Sequence, residues 1–251
     1  MSDSRAVLVT GGSRGIGRAI AHAFATAGDR VAVHWGASRE RAEAVLAQLP
    51  GDGHVLVQAD LADADAVGRM VDEAAAALGG LDVLVNNAGV FTAHPPLSVS
   101  YEEWQAAWSR TLAVNLLGAA NATFRAVPHL VAAGGGAVVN VSSRGAFRGE
   151  PDTPAYGASK AGLNAFGQSM AIALAPHGIS VGTVAPGFVQ TEMAREVLDG
   201  PGGDAVRAQS PYGRVARPEE VASAVLWLAS PGARFSTGTI IDVNGASYLR
   251  S

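Results

Sequence analysis

The sequence predicts an α/β protein built on a doubly wound parallel sheet. Short, continuous apolar runs recur along the chain, and such runs are typical of parallel strands that are covered on both faces. Between them lie stretches with apolar residues three and four apart, which indicate helices. The first run, Ala6–Thr10, leads directly into a glycine-rich turn and a helix. Strands that alternate with helices in this way form parallel sheets with helices on both faces.

The composition limits the class of protein. The 251 residues, 48% of them hydrophobic, suit one domain spanning 1–251. The absence of cysteine excludes disulfides and thiolate chemistry, and no grouping of His, Asp and Glu indicates a metal site. A net charge of −4 argues against nucleic-acid binding, and no apolar run reaches the roughly 20 residues of a membrane span. With no signal-peptide pattern at the N-terminus, we expect a cytoplasmic protein without nucleic-acid or membrane partners.

The turn Thr10–Gly17 (TGGSRGIG) predicts a phosphate-binding site. Its glycines Gly11, Gly15 and Gly17 let the backbone approach a pyrophosphate, and the helix that follows presents free N–H groups. A glycine-rich turn selected only for tight packing is the alternative. The strand before it and the helix after it favour the phosphate site.

The second strand, Val31–Trp35, indicates which nucleotide binds. In such units an acidic residue at the end of this strand binds the ribose 2′-hydroxyl and selects NAD, and no acid is present here. Arg14, and Arg39 with Ser38, are candidates to bind a 2′-phosphate, because one planar guanidinium group can bind two phosphate oxygens at once. We therefore expect NADP(H) rather than NAD(H). The alternative for Arg39 is a solvated residue at the start of the next helix.

Polar residues follow the third and fourth strands. Asp60 comes after His54–Ala59, and it either accepts from an adenine amine or caps the helix that begins near Asp63. Leu81–Val85 runs into Asn86–Gly89 (NNAG). These asparagines either satisfy backbone groups at the strand end or lie where a cofactor crosses the sheet.

The stretch after the strand Val138–Val141 carries a candidate catalytic group. A helix beginning at Pro154 places Tyr156 and Lys160 four residues apart, on one face. A neighbouring ammonium favours the phenolate, so we expect the pKa of the tyrosine to lie below its usual value of about 10. Ser143, at the strand end, is placed to donate to a substrate oxygen. Tyr and Lys also fall four apart in ordinary helices, so the rest of the chain must support this assignment.

The remaining elements complete the alternation. A long helix is predicted over Glu102–Ala132 and contains Asn115, whose amide needs a partner in an apolar stretch. It either bonds a carbonyl and kinks the helix or holds a water. A strand at Ile179–Val184 precedes an irregular segment at about 188–212, which we expect to form a substrate lid. The last strand is Thr239–Val243.

Four motifs occur together and in order. They are TGGSRGIG at 10–17, NNAG at 86–89, YGASK at 156–160, and Pro186-Gly187 followed by Thr191. With these motifs the chain resembles the short-chain dehydrogenase/reductase family over nearly its whole length. The resemblance implies a three-layer Rossmann fold with a seven-stranded sheet and helices on both faces. It also implies a homotetramer or homodimer.

The resemblance implies that Asn115, Ser143, Tyr156 and Lys160 form a catalytic tetrad. Tyr156 would give its proton to the carbonyl oxygen, and Ser143 would polarise that carbonyl. Lys160 would bond the nicotinamide ribose and keep the phenol acidic, while Asn115 would hold a water that relays protons. The motifs give as candidate cofactor contacts Gly11, Ser13, Arg14, Gly15, Ile16, Gly17, Ser38, Arg39, Asp60, Leu61, Asn87, Ala88, Gly89, Tyr156, Lys160, Pro186, Gly187, Val189 and Thr191.

The substrate is predicted from departures within that family. The ending resembles the 3-oxoacyl-acyl-carrier-protein reductases, whose acidic carrier docks on basic residues of the helix that follows the Tyr–Lys pair. Here that helix carries Gln168, Ile172, Ala173 and His177, so steering of an acidic partner is weakened. We therefore expect a small free-standing ketone or secondary alcohol, with carrier-bound 3-oxoacyl groups as the alternative. A non-catalytic NADP(H)-binding sensor or scaffold is the third possibility.

The candidate substrate pocket is mostly apolar and favours a hydrophobic ketone. Its candidate residues are Phe91, Thr92, His94, Phe147, Phe188, Met193 and Tyr212. Arg144 and Arg148 flank the tetrad serine and either bind a substrate carboxylate or form solvated or interface pairs. The usual ending VDGG of the family is here 243–246 (VNGA), which puts the fine fit or the subunit packing in question.

Overall fold

The computed structural model describes residues 4–250 and contains one parallel sheet of seven strands, which confirms the predicted fold class. The strands are β1 (Ala6–Val9), β2 (Arg30–Trp35), β3 (Val55–Gln58), β4 (Val83–Asn86), β5 (Gly136–Val141), β6 (Ile179–Pro186) and β7 (Ile240–Val243). The helices are α1 (Gly15–Thr26), α2 (Arg39–Leu46), α3 (Ala64–Leu78), α4 (Tyr101–Leu112), α5 (Gly118–Ala132), α6 (Gly145–Arg148), α7 (Pro154–Leu174), α8 (Glu192–Asp199), α9 (Gly203–Ala208) and α10 (Pro218–Leu228).

Two apolar cores, one on each face of the sheet, make the three layers. One core includes Met70 of α3 and Leu130 of α5, packed with the sheet residue Leu84. The other includes Phe24 of α1 and Leu228 of α10. All three layers therefore depend on strands that are buried from both sides, which is why their sequences read as continuous apolar runs.

The order of the strands places the functional crevice. It runs β3-β2-β1-β4-β5-β6-β7, so the chain reverses direction across the sheet between β1 and β4. Ligands of doubly wound sheets bind at the carboxyl ends of the strands where this reversal occurs. The glycine turn after β1 and the NNAG motif at the end of β4 both lie at that edge.

Two predicted elements differ in the structure. The predicted helix over Glu102–Ala132 begins at Tyr101 and is interrupted by a π-helical segment, Ala113–Leu117, which contains Asn115. Such π turns are frequent at functional sites. The segment at 188–212, predicted to be irregular, contains α8 and α9. Its glycines, which suggested irregular backbone, lie around the helix boundaries at 200–203.

Candidate active site

Helix α7, the end of β5 and the π-helical segment Ala113–Leu117 carry the four residues of the predicted tetrad. The ammonium Nζ of Lys160 donates to the carbonyl of Val141 at 2.8 Å and lies 5.8 Å from the ring centroid of Tyr156. A Cβ atom on Gly89 would lie 3.5 Å from that Nζ and 3.3 Å from Oδ1 of Asn115. Gly89 therefore provides the space into which Lys160 and Asn115 both project.

Asn115 is held rigidly by backbone groups of a neighbouring loop. Its Oδ1 accepts from the N–H of Val90 at 2.8 Å, and its Nδ2 donates to the carbonyl of Val90 at 3.0 Å. Nδ2 also donates to the hydroxyl of Ser159 at 3.1 Å. The partner that the Asn115 amide was expected to need is thus the backbone of Val90. The helix widens into its π turn at Asn115.

The electrostatics of the pair differ from the prediction. Burial lowers the pKa of Lys160 to about 8. Burial raises the pKa of Tyr156, a hydrogen bond with Ser143 acts in the opposite direction, and the charge of Glu150 raises it further. The expectation that the neighbouring ammonium lowers the tyrosine pKa is therefore wrong for this structure, because desolvation dominates and Nζ is engaged with a carbonyl.

The glycine turn is fixed by close backbone packing. Gly11 and Gly15 have φ of 64° and 52°, in the left-handed region that glycine adopts at little cost. The N–H of Gly11 donates to Nδ1 of His34 at 2.9 Å, from beneath the turn. A Cβ on Gly17 would lie 2.1 Å from the carbonyl oxygen of Gly11, so only glycine fits there. The turn is shaped as a phosphate cradle requires.

The NNAG motif joins β4 to this turn. Nδ2 of Asn87 donates to the carbonyls of Thr10 at 2.8 Å and Gly11 at 3.2 Å, and the N–H groups of Asn87 and Ala88 donate to Oγ1 of Thr10. Asn87 thus satisfies backbone groups at the ends of the strands, which is the first of the two alternatives predicted for this motif.

The first residues of the predicted lid lie over the glycine turn. The methyl carbon of Thr191 is 3.3 Å from the position that a Cβ on Gly15 would take. Val189 is buried and pairs with Ala216, while the N–H of Gly187 donates to the carbonyl of Val243 at 3.1 Å. Thr191 therefore packs against the glycine turn at Gly15.

Of the two arginines predicted to bind a 2′-phosphate, Arg39 forms an ion pair and Arg14 is exposed. Arg39 pairs with Glu43 one turn along α2 at 2.8 Å, and the Ser38 hydroxyl accepts from the N–H of Arg41 as a helix cap. Arg14 is exposed at the start of α1. A further ion pair, Arg41–Glu192 at 3.0 Å, joins α2 to α8, and no sequence pattern predicts it.

Asp60 does not cap α3. Asp63 does so, accepting from the N–H groups of Asp65 and Ala66. Asp60 instead pairs with Arg110 at 2.9 Å, and that hydrogen bond lowers the pKa of the Asp60 carboxyl. Leu61 is buried in the core beside α5.

The candidate pocket residues do not form one group. Phe91 stacks edge-on against Tyr156 with ring centroids 4.9 Å apart, beside the tetrad. Phe188 lies under the guanidinium of Arg144, and the backbone carbonyl of Phe147 accepts from the hydroxyl of Tyr248. Met193 and Tyr212, on and after the lid helices, are exposed.

His94 was predicted in the substrate pocket, and that prediction is wrong. The residue is 1% exposed and serves the first turn of α7. Its Nε2 accepts from the N–H of Ala155 at 3.2 Å, while Nδ1–H donates to the carbonyl of Thr92 at 2.7 Å. Free N–H groups at a helix start need such acceptors, so His94 positions the helix that carries Tyr156.

The comparisons with known proteins agree on one family. A family profile described as enoyl-(acyl carrier protein) reductase matches residues 11–246. The 3-oxoacyl-acyl-carrier-protein reductase of Staphylococcus aureus is 38% identical over 251 residues, covering 99% of this chain and 100% of that protein. A short-chain dehydrogenase from Burkholderia cenocepacia, solved in complex with NADP, is 38% identical with a TM-score of 0.88, covering 97% of each chain. The chain belongs to the short-chain dehydrogenase/reductase family.

A third relative differs in the substrate that it is named for. The cis-4-hydroxycyclohexanecarboxylate dehydrogenase of Sinomonas cyclohexanicum is 40% identical over 243 residues, covering 96% of this chain and 95% of that protein. These short-chain dehydrogenases and reductases are named for acting on hydroxyl or keto groups, and this chain is an oxidoreductase of that family.

Two further findings concern membrane spans and metal ligands. Within residues 4–250, no helix is long and apolar enough to cross a membrane. The same residues contain no cluster of three or more His, Asp and Glu side chains that could hold a metal ion.

Proposed function

We propose that this short-chain dehydrogenase/reductase is NADP(H)-dependent and interconverts a small, free-standing ketone and its secondary alcohol. The observation that carries the proposal is the convergence of Lys160 and Asn115 on the space above Gly89, beside Tyr156. That space lies at the crevice edge of the sheet. The proposed proton donor, Tyr156, and the glycine turn that would bind the nucleotide both lie at this edge.

The residues around the crevice fit a dinucleotide. The left-handed Gly11 and Gly15 and the missing side chain of Gly17 leave backbone N–H groups for a pyrophosphate, with Ser13, Arg14 and Ile16 beside them. Asn87–Gly89 and the segment from Pro186 to Thr191 lie beside this turn, and Lys160 and Tyr156 would hold the nicotinamide ribose. When bound, the nicotinamide supplies the hydride.

The choice of NADP(H) is supported by the end of β2. No carboxylate is present there to hold a ribose 2′-hydroxyl, and His34 is occupied on both ring nitrogens. The related short-chain dehydrogenase of Burkholderia cenocepacia was solved with NADP. Arg14, Arg39 and Arg41 supply the positive charge at this end. The ion pair of Arg41 with Glu192 would have to open for it to reach a 2′-phosphate.

In the reducing direction the tetrad moves one proton. The raised pKa of Tyr156 keeps its phenol protonated at neutral pH, ready to donate to the carbonyl oxygen. The Ser143 hydroxyl would bond that oxygen, and the Lys160 ammonium, 5.8 Å from the centroid of the Tyr156 ring, is the nearby cation for the phenolate that forms. Asn115 fixes the loop at Val90 and the helix face at Ser159 between which this transfer occurs.

Carrier-bound 3-oxoacyl groups are the second candidate substrate. The full-length similarity to the Staphylococcus aureus reductase favours them. The outer face of α7 counts against them, because Ile172 is 81% exposed at a position where a docking surface for an acidic carrier calls for a cation. The relative named for a hydroxycyclohexanecarboxylate supports the small free-standing substrate instead.

The test is a substrate panel followed at the nicotinamide absorbance, with NADPH and NADH compared. The panel contains cyclohexanone, 4-oxocyclohexanecarboxylate, levulinate, the methyl esters of both acids, and acetoacetyl thioesters of coenzyme A and acyl carrier protein. We expect turnover of free ketones with NADPH. Turnover confined to thioesters would establish the second candidate, and NADPH binding without turnover of any member would favour a sensor.

The Tyr156→Phe variant tests the proton donor. We expect kcat to fall by about 10²–10⁴-fold, because the phenyl ring keeps the shape and loses the proton. NADPH binding, followed by fluorescence titration, should remain within threefold of the parent. Reduction at the parent rate would contradict the assignment of Tyr156.

A further inference from the structure

Arg144, directly after the tetrad serine, is a buried cation without a carboxylate partner among residues 4–250. It is 4% exposed. Its Nη1 donates to the hydroxyl of Ser247 at 2.6 Å and its Nη2 to Oε1 of Gln209 at 2.6 Å, both neutral groups. The guanidinium carbon lies 5.1 Å from the ring centroid of Phe188. Burial of a charge without an opposite charge is costly, so this arrangement calls for an anion.

The guanidinium lines a cavity whose other charges are compensated. The cavity has a volume of about 170 Å³, close to the 150 Å³ that holds a benzene ring. Its neutral polar lining includes Ser210 and Asn244. The two carboxylates in its wall are paired, Glu220 with Arg214 at 2.6 Å and Asp242 with Arg250 at 2.7 Å.

Arg144 retains hydrogen-bonding capacity toward this cavity. A guanidinium has five N–H donors, and two are used by Ser247 and Gln209, which leaves three. Its planar fork suits the two oxygens of a carboxylate. Burial lowers the pKa of Arg144, as does the charge of Arg148, while Glu150 raises it. The direction agrees with a cation that lacks sufficient negative charge around it.

We propose that this cavity is a carboxylate-binding site held by Arg144, and that the carboxylate belongs to the substrate. The second part rests on the proposed function. The backbone N–H of Arg144 donates to the carbonyl of Pro186 at 2.9 Å, which ties the guanidinium-bearing loop to the wall of the cofactor crevice. The cavity is lined by Arg144 and by none of the tetrad residues, so a single oxo acid would have to reach from its carbonyl at Ser143 to its carboxylate at Arg144, the next residue in the chain. The substrate class is an oxo acid or hydroxy acid of about six carbons.

Binding is measured first, so that the site is tested even without turnover. Calorimetry on the enzyme–NADP⁺ complex compares 4-oxocyclohexanecarboxylate and levulinate with their methyl esters. We expect each acid that binds to do so at least tenfold more tightly than its ester. Arg144→Gln should reduce this preference to near unity, and Arg144→Lys should restore part of it. Arg148→Gln is the control for nearby charge, because Arg148 is exposed one turn away and acts on Arg144 only through its charge, and it should keep most of the preference.

Kinetics then separate the two proposals. In the parent and in Arg148→Gln, kcat/KM should favour acids over esters, and Arg144→Gln should lower that ratio at least tenfold. Thermal melts of each variant establish that it is folded, and because the ratio compares two ligands on one protein, a general loss of activity cancels. Equal use of acids and esters by the parent would overturn the carboxylate site while leaving the proposed function intact. Arg144-dependent binding of acids without turnover of any ketone would instead overturn the assignment to the substrate.

Discussion

The nucleotide end of this crevice and its proposed substrate end around Arg144 are built in different ways. At the nucleotide end, backbone packs against backbone: a Cβ on Gly17 would meet the carbonyl oxygen of Gly11 at 2.1 Å, and Asn87 bonds main-chain groups at Thr10 and Gly11. At the substrate end, side chains from distant segments meet. Arg144 contacts Gln209, 65 residues on, and Ser247, 103 residues on.

This difference determines how well each end of the crevice tolerates amino-acid substitution. A backbone cradle depends on a few glycines at fixed spacing and tolerates almost no change. A cluster of side chains can be altered one residue at a time without disturbing the sheet beneath it. We therefore expect the nucleotide end to be shared across the family and the proposed substrate end to differ among its members.

The sharpest way to break the nucleotide end is Gly17→Ala. The added methyl group collides with the backbone of the turn, so we expect the free energy of unfolding to fall by about 3 kcal/mol and NADPH binding to be lost. Urea denaturation and fluorescence titration measure the two effects. Gly232→Ala is the control, since the nearest atom to its Cβ is 3.8 Å away. If both variants unfold alike, the nucleotide end is not as tightly packed as described.

A smaller effect is expected at His94, which supports the start of the helix that carries Tyr156. The variant His94→Ala removes the acceptor for the buried N–H of Ala155, which should cost about 2 kcal/mol of stability and lower kcat by shifting Tyr156. His94→Gln offers an acceptor again and should recover part of both. Urea denaturation and kcat for the best ketone measure the result. Recovery of stability without kcat would mean that His94 supports the fold and does not position Tyr156.

The fold was largely predictable because its signals are local. The seven apolar runs locate all seven strands to within about two residues, and TGGSRGIG specifies its own turn. Tyr156 and Lys160 lie on one helix, so their spacing alone placed them on one face. In contrast, the direction of the Tyr156 pKa depends on burial, which no spacing reveals.

The misplaced residues share a physical cause. His94 is found near the pocket motifs in sequence, yet its imidazole turns inward to a helix end 61 residues away. Arg144 was recognised as a candidate carboxylate ligand, but its burial, and the cavity beside it, arise from contacts with the C-terminal tail and the lid. The pattern of the second strand predicts no role for His34, because the motif concerns only whether an acid ends that strand. A histidine in an otherwise apolar strand was the available signal that it has a structural partner.

The stability of the protein should depend on pH through the His34 contact under the glycine turn. Burial lowers the pKa of His34 from 6.5, and Nδ1 accepts from Gly11 while Nε2–H donates to Ala59, which fixes the neutral form. The unfolded chain takes up a proton near pH 6.5 while the folded chain does not. Stability is therefore fully present above that pH and is lost as the pH falls toward the lower folded pKa.

The size of this loss is set by the difference between the unfolded and folded pKa values of His34, and we expect the free energy of unfolding to decrease as the pH falls from 7.5 to 5. It is measured by urea denaturation at pH values between 7.5 and 5. In His34→Gln the dependence over this interval should flatten, whereas His22→Gln, at an exposed site on α1, should follow the parent. A parent curve that is already flat would contradict the neutral, backbone-bonded His34.

The smallest effect sharpens the contrast at the substrate end. In residues 4–250 Ala246 is the one residue other than glycine with positive φ, at 59°, whereas the nucleotide end uses Gly11 and Gly15 for such positions. The left-handed conformation costs alanine about 1 kcal/mol, partly offset by the extra freedom of glycine in the unfolded chain. Ala246→Gly should therefore raise stability by about 0.5 kcal/mol, or Tm by about 1–2 °C.

Ala246→Val is the matched control and should lower Tm, because a β-branched residue resists this conformation more strongly. The acid-to-ester preference of Ala246→Gly adds a second measurement, since Ser247 follows directly and accepts from Arg144. If the preference falls while Tm rises, the strained alanine holds Ser247 in place for carboxylate binding. If Tm does not rise at all, the strain at Ala246 is absent, and the two ends of the crevice differ only in which atoms meet.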